Sequence, residues 1–122
     1  MASRRARQFI GSAPVLGRSV HSDAQIHQHD DGTDYIFLGT ILSTASHPDV
    51  VPLGWDVLAG ATRSSRVPVI AIGGIGMDRI PEAMRRGAWG VAMITAIWNA
   101  PDRANAVRLA LDKVKAAARE SQ

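Results

Sequence analysis

The sequence predicts an α/β fold in which four strands of a parallel sheet alternate with helices. Four short apolar runs recur along the chain, and each is followed by a segment with helical periodicity. The runs are rich in β-branched residues and nearly continuous in their apolar character, as in strands that are covered on both faces. Four units of this size make either a small open sheet or half of a (β/α)8 barrel.

The first two units occupy the N-terminal half of the chain. Residues 15–21 form a short apolar run that ends in polar residues, and Ser22-Asp23 then offers helix-cap chemistry for a short helix over 24–29. Residues 34–41 combine β-branched and aromatic side chains and predict the second strand. A polar loop over 42–52 leads into a helix over 54–62.

The third unit begins with an almost wholly apolar strand over 67–72, which ends in a glycine-rich turn over 73–76. Asp78 is a good N-cap for the helix that follows. Pro81 suits the first turn of that helix, and Gly87 suits its end.

The fourth unit contains a strand predicted over 90–97 and the last helix. Asn99 can cap this helix, with Pro101 in its first turn. Apolar residues recur at intervals of three and four and predict its buried face. They are Ala104, Val107, Leu111, Val114 and Ala118.

The composition is that of an ordinary globular protein, with 46% hydrophobic and 20% charged residues among 122. The chain has no cysteine, which excludes disulfides and thiolate metal sites. The net charge of +3 comes from basic residues mixed with acidic ones, and the few aromatics form no stacking stripe, so nucleic acid is not the expected partner. No apolar run reaches the length of a membrane span or a signal peptide, and we expect a cytoplasmic protein.

The candidate site lies where the strands end, as in parallel α/β folds generally. Gly73 and Gly74 follow one strand, and their backbone N–H groups can approach an anion closely. Thr95 and Ala96 follow the neighbouring strand and can add further N–H donors. Together they suit a phosphate group. The alternative is a tight turn that simply requires glycine.

Two histidines are further candidates. His21 lies at the end of the first strand, close to Ser19, where an imidazole can act as general acid or base; a structural or solvent-facing histidine is the alternative. His47 and Thr44 lie in the polar loop, either in contact with a ligand phosphate or as ordinary loop residues. His27 and His29 point in different directions on a short helix, so we expect no metal site.

Six segments carry a resemblance to a known family. They cover residues 17–22, 34–40, 44–48, 52–54, 67–75 and 87–94, and their order and spacing agree with the thiamine phosphate synthase/TenI family, which the chain resembles. The resemblance implies a TIM-type (β/α)8 barrel of which this chain is the C-terminal half, strands five to eight, as a single partial domain over 1–122. The absent half of such a barrel carries the groups that grip pyrophosphate and magnesium. This chain is therefore expected to hold no cofactor, with Mg²⁺ relevant only in a complete synthase.

The resemblance also implies two competing activities. A synthase joins a pyrimidine diphosphate to a thiazole phosphate and usually carries a Thr-x-Thr-Lys-like loop, where this chain has Thr44-Ala45-Ser46-His47. The TenI branch includes a thiazole tautomerase, and residues 17–22 are similar to that branch. The favoured interpretation is TenI-like, with His21 as acid/base and the phosphate of a thiazole phosphate, or of thiamine phosphate, on Gly73, Gly74, Thr95 and Ala96. Synthase activity is the alternative.

Half a barrel leaves open sheet edges and an uncovered apolar face. The chain is therefore interpreted as a fragment of a longer protein, or as a natural truncation that pairs with a second copy or with the missing N-terminal half barrel. A non-catalytic module that binds the phosphate compound is the remaining alternative. Whether this length of chain is itself an enzyme stays open.

Overall fold

A computed structural model describes residues 6, 8, 11, 15–26, 32–44 and 48–120. Its centre is a four-stranded parallel sheet with the strands side by side in chain order. The strands are β1 (Gly17–Val20), β2 (Tyr35–Leu38), β3 (Val69–Ile72) and β4 (Gly90–Ala92). The predicted α/β class, the parallel sheet and the alternating order of strands and helices are confirmed.

Five α-helices follow the strands in the described residues. They are α1 (Asp23–Ile26), α2 (Trp55–Ser64), α3 (Ile80–Arg85), α4 (Thr95–Trp98) and α5 (Arg103–Glu120), and a 3₁₀ turn over Met77–Arg79 precedes α3. Pro81 lies in the first turn of α3, as predicted. Gly87, which follows α3, has φ +98°, a left-handed conformation that ends a helix readily with glycine.

The two faces of the sheet differ in burial. Strands that follow one another in a parallel sheet through right-handed connections place their helices on one side. The strand residues on that side are buried, and they are Val20, Ile36, Leu38, Val69 and Ala71. On the opposite side, Ser19 is exposed, and Tyr35, Phe37, Ile70 and Ile72 are half-buried. The second face is therefore apolar and only partly covered.

The core lies between the sheet and the helix layer. Leu58 of α2 and Ile80 of α3 are fully buried and belong to the same cluster as Val20, Ile36 and Leu38. Each such side chain stabilises the fold by about 1.5–3 kcal/mol through removal of its apolar surface from water.

The predicted fourth strand is too long. It ends at Ala92, and residues 95–98 form α4, in which the Trp98 N–H donates to the Ile94 carbonyl at 2.9 Å. The apolar run from Met93 to Ile97 fits a buried strand and a short helix equally well by its periodicity, because neither periodicity is resolved over so few residues.

Two predicted helix caps are also wrong. Asn99 lies directly after α4, and α5 is capped instead by Asp102, whose Oδ1 accepts a hydrogen bond from the Asn105 N–H at 3.0 Å. Pro101 consequently precedes α5. Asp78 lies within the 3₁₀ turn, and its side chain makes no cap hydrogen bond.

The buried face of α5 is displaced from the predicted one. Ala106 and Ala117 are its buried residues, and the helix packs mainly against α3. Of the predicted face only Val114 packs against the core, whereas Val107 is 44% and Leu111 is 52% exposed. Val107 and Leu111 are thus left largely uncovered by the rest of the described structure.

None of the helices in the described ranges has the length and apolar content needed to cross a lipid bilayer.

Candidate functional site

The loops that follow the four strands lie along one edge of the sheet, because the strands are parallel and in register. Neighbouring strands are about 4.8 Å apart, so the end of β1 lies about 10 Å from the end of β3 and about 14 Å from the end of β4 along the sheet. A small molecule can therefore reach the ends of several strands at once.

The glycine turn after β3 has a conformation that other residues adopt at a cost. Gly73 has φ +101° and Gly74 has φ +70°. A Cβ on Gly73 would lie 2.7 Å from Thr40 Cγ2, and one on Gly74 would lie 2.8 Å from the carbonyl oxygens of Leu42 and Ser43. Glycine is thus required for the turn itself. Gly74 is nevertheless exposed, so the backbone of the turn remains accessible to a ligand.

The loop after β2 is joined to this turn by hydrogen bonds. The N–H groups of Ile41 and Leu42 donate to the carbonyls of Ile72 and Gly73, both at 3.0 Å. They continue the pattern of the sheet beyond the last residue of β2. The position of the glycine turn is consequently fixed by its neighbour in the sheet.

The end of β4 contributes the first turn of α4. The first N–H that donates within this helix is that of Ile97, to the Ile94 carbonyl at 3.2 Å. The N–H groups of Thr95 and Ala96 therefore have no acceptor within α4, as at any helix N-terminus. They follow β4, the strand next to β3, so the two predicted pairs of N–H donors come after adjacent strands of the sheet.

His21 follows β1 and its side chain is exposed. Its backbone N–H donates to Gln25 Oε1 at 2.6 Å, and the Gln25 N–H donates to Ser22 Oγ at 3.3 Å. The predicted cap by Ser22 is confirmed. Gln25 was missed by the sequence reasoning, although the spacing Ser22-x-x-Gln25 is that of a capping box. This pair fixes the backbone of His21 at the edge of the site.

The remaining candidate site residues are Ser19, Thr44 and His47, and the structure describes the first two. Ser19 is exposed on the partly covered face of β1. Thr44 is half-buried and follows Ser43, whose carbonyl oxygen lies beside the glycine turn. His47 lies outside the described residues. Among the residues that are described, no group of three or more His, Asp or Glu side chains is placed to hold a metal ion.

The resolved pKa shifts belong to the helix layer and not to the strand ends. Hydrogen bonds from Arg85 and then Arg86 lower the pKa of the Glu82 carboxyl, and Glu82 in turn raises the pKa of Arg86. Arg86 also contacts Asp56 Oδ1 at 3.2 Å and so links α3 to α2. These charges lie on the surface of the helix layer, where such pairs contribute little to stability.

Comparison with known proteins gives a consistent family. The family model described as thiamine monophosphate synthase matches residues 1–97. The thiamine-phosphate synthase of Synechococcus sp. (strain WH7803) is 39% identical over 110 residues, which are 89% of this chain and 31% of that protein. The thiamine-phosphate synthase of Roseiflexus castenholzii is 39% identical over 108 residues, 87% of this chain and 47% of that protein.

A solved structure with a similar fold is the thiamine phosphate pyrophosphorylase from Pyrococcus furiosus. It has a TM-score of 0.84 and 29% identity, and the match covers 96% of this chain and 56% of that one. This chain thus spans between about a third and somewhat more than half of the length of these three proteins. Because these relatives are named synthases or pyrophosphorylases, the comparisons favour the synthase alternative over the TenI-like interpretation. By the match over residues 1–97, the chain belongs to the thiamine monophosphate synthase family, which includes TenI.

Proposed function

We propose that this chain is the phosphate-binding half of a thiamine phosphate synthase-type (β/α)8 barrel, and that it holds a thiazole phosphate or thiamine phosphate at the carboxyl ends of its strands. The observation that carries the proposal is that the Gly73-Gly74 turn and the first turn of α4 follow adjacent strands, β3 and β4. Backbone N–H groups at such positions stabilise an anion without a charged side chain.

The half-barrel part of the proposal is supported by the sheet. Its strands follow in chain order, its helices lie on one side, and its second face carries Tyr35, Phe37, Ile70 and Ile72 only half-buried. A closed barrel buries that face against its other strands. The share of the Pyrococcus furiosus chain that is matched, 56%, agrees with four of eight units.

The reaction proposed is that of a synthase, in which a thiazole phosphate is joined to a pyrimidine diphosphate and pyrophosphate leaves. The names of the relatives favour it. In this proposal the described half binds the thiazole phosphate and orients its ring toward the missing half. The described residues offer no cluster suited to Mg²⁺, and no step assigned to them requires one.

A tautomerase is the second candidate, favoured by the exposed His21 at the end of β1. Its distance from the glycine turn, about 10 Å along the sheet, suits a substrate that is anchored by its phosphate and presents a ring to the imidazole. A proton would then be taken from one ring-bound position and returned to another by the same histidine.

The test is a titration of the ¹⁵N-labelled chain with the thiazole phosphate, compared with the same thiazole lacking its phosphate. We expect amide shifts at Gly73, Gly74, Thr95 and Ala96 with the phosphorylated compound alone. Equal shifts with both compounds, or shifts confined to other residues, contradict the proposal.

Turnover separates the two activities. A complete barrel that contains this chain as its C-terminal half, with His21 or with His21→Ala, is assayed for release of pyrophosphate from the pyrimidine diphosphate and for tautomer conversion of a thiazole phosphate carboxylate. Tautomer conversion that is lost in His21→Ala supports the second candidate. Pyrophosphate release that survives in His21→Ala supports the synthase.

A further inference from the structure

The last helix, α5, has a broad apolar surface of which only part is covered. At about 100° per residue, its buried residues Ala106 and Ala117 lie on one side with the half-buried Ala110, and Val107, Leu111 and Ala118 lie about 100–140° around the helix from Ala106. The first group packs toward α3. In the second group Val107 is 44% and Leu111 is 52% exposed, and Ala118 is exposed too. We call this second group, together with Ala104, the outer stripe.

A row of basic side chains borders the outer stripe. Next to the acidic Asp112 at about 240°, the basic residues Arg108, Lys115 and Arg119 lie about 180–220° around the helix from Ala106, directly beyond the stripe. All three are exposed. The ion pairs recorded for the described residues join Glu82, Asp56 and Asp78 to arginines outside α5, and none involves this row.

We propose that the outer stripe is the docking site of an amphipathic helix which this chain does not itself supply, and whose own apolar stripe is bordered by acidic side chains. The proposal rests on the half-barrel architecture proposed above and names the chemistry of the piece that continues it. In a sheet that extends past β4, the helix of the next unit packs beside α5 on the flank away from α3. Because the outer stripe lies about 100–140° around α5 from the buried Ala106, we assign it to that flank.

The basic row determines the character of the occupant. A second copy that pairs through its own α5 brings the same row against Arg108, Lys115 and Arg119, and like charges at a contact are repulsive. The first fourteen residues of this chain carry Arg4, Arg5 and Arg7 and no acidic residue, so they do not complement the row either. A helix with Glu or Asp along its border pairs with the row while its apolar residues cover Val107 and Leu111.

The experiment uses two synthetic helical peptides with the same leucine stripe, one bordered by Glu and one by Lys, titrated into the full chain by fluorescence anisotropy. We expect the Glu-bordered peptide to bind about tenfold more tightly, because three pairs at the rim each contribute a fraction of a kcal/mol. The preference should shrink at high salt. The triple variant Arg108→Glu/Lys115→Glu/Arg119→Glu reverses the charge of the row and should bind the Lys-bordered peptide more tightly than the Glu-bordered one.

Two exposed leucines provide a matched pair of variants. Leu111 lies in the outer stripe, and Leu109, 47% exposed, lies on another side of the same helix. We expect Leu111→Asp to abolish binding of the Glu-bordered peptide and Leu109→Asp to leave it unchanged, with equal helix content in both by circular dichroism. Equal loss in the two variants, or equal affinity for the two peptides, overturns the proposal.

The molar mass from light scattering tests whether a second copy of the chain occupies the outer stripe. A chain that is dimeric and becomes monomeric in Leu111→Asp alone assigns the stripe to self-association and refutes an external acidic helix. Titration of the same variants with the thiazole phosphate keeps the two proposals separate. Phosphate binding that fails while peptide discrimination persists removes only the proposed function, and the reverse result removes only the docking site.

Discussion

Replacement of Gly74 by alanine tests both the geometry of the turn and its role. The residue has φ +70°, which an L-residue adopts at about 1–2 kcal/mol. The added Cβ would also lie 2.8 Å from Leu42 Cβ and from two carbonyl oxygens, so backbone atoms must move. Such overpacking costs about 1–3 kcal/mol. The free energy of unfolding should therefore fall by about 2–5 kcal/mol.

Two other glycines separate the contributions. Gly54 has φ +88° and ψ 169°, a region nearly confined to glycine, but its Cβ position is open, so Gly54→Ala should lose about 1–3 kcal/mol from backbone strain alone. Gly87 has φ +98° and a Cβ position 2.6 Å from Thr62 Oγ1, but it lies at the end of α3, where the chain enters β4. Gly87→Ala should destabilise to a degree similar to Gly74→Ala, at the end of the sheet opposite to the candidate site.

The assay combines denaturant unfolding with titration of the thiazole phosphate under conditions where each variant is folded. We expect the affinity to fall at least about tenfold in Gly74→Ala, a change of about 1.4 kcal/mol, and to remain unchanged in Gly87→Ala. Equal destabilisation in Gly74→Ala and Gly54→Ala would refute the close approach of the loop. An unaltered affinity in a folded Gly74→Ala protein would refute the phosphate-binding role of the turn.

Three further predictions concern the helices. Asp102→Ala should reduce the free energy of unfolding by about 0.5–2 kcal/mol through loss of the α5 cap, whereas Asn99→Ala should have little effect; denaturant unfolding of both variants checks this. Glu82→Gln should destabilise the protein near neutral pH. Hydrogen bonds from Arg85 and Arg86 lower the pKa of Glu82 below its ordinary 4.5, so its contribution to the free energy of unfolding is complete above that pH and is lost as the pH falls through the folded-state pKa. The difference in stability between wild type and variant should therefore disappear in acid. An equal difference at pH 7 and in acid would contradict this prediction. Ser22→Ala should loosen the backbone at His21, measured as faster amide hydrogen exchange of Gln25, whose N–H bonds to Ser22.

The sequence predicted the fold where its signals were long or geometrically strict. The strand over Val69–Ile72 is apolar and bounded by a proline and a glycine pair, and it forms as expected. Gly87 ends its helix because the left-handed conformation favours glycine. The periodicity of apolar residues correctly located the last helix. Because these residues cover more of the helix surface than a single packing contact needs, the periodicity did not determine which side is buried.

Short and ambiguous segments were predicted less well. Residues 94–97 read as strand because their side chains are apolar, whereas the hydrogen bond from Trp98 to Ile94 closes a helical turn. Asn99 and Asp102 are both good cap residues, and the choice between them depends on where α4 ends. In the site, adjacency of the glycine turn and Thr95 followed from strand order. The contact of that turn with the loop after β2 did not, since it depends on backbone bonds between residues distant in sequence.

The loop that follows β2 is closed at its base. The Leu53 N–H returns to the Thr40 carbonyl and the Gly54 N–H returns to the Ile41 carbonyl, both at 2.8 Å. The entropic cost of closing a loop depends only weakly on the number of residues that the loop contains. Leu42 and Ser43 remain tied to the glycine turn, whereas substitutions and changes of length over residues 44–52 have little effect on the sheet. That part of the loop can diversify during evolution, or be grafted by design, to accommodate different phosphorylated compounds on an unchanged scaffold.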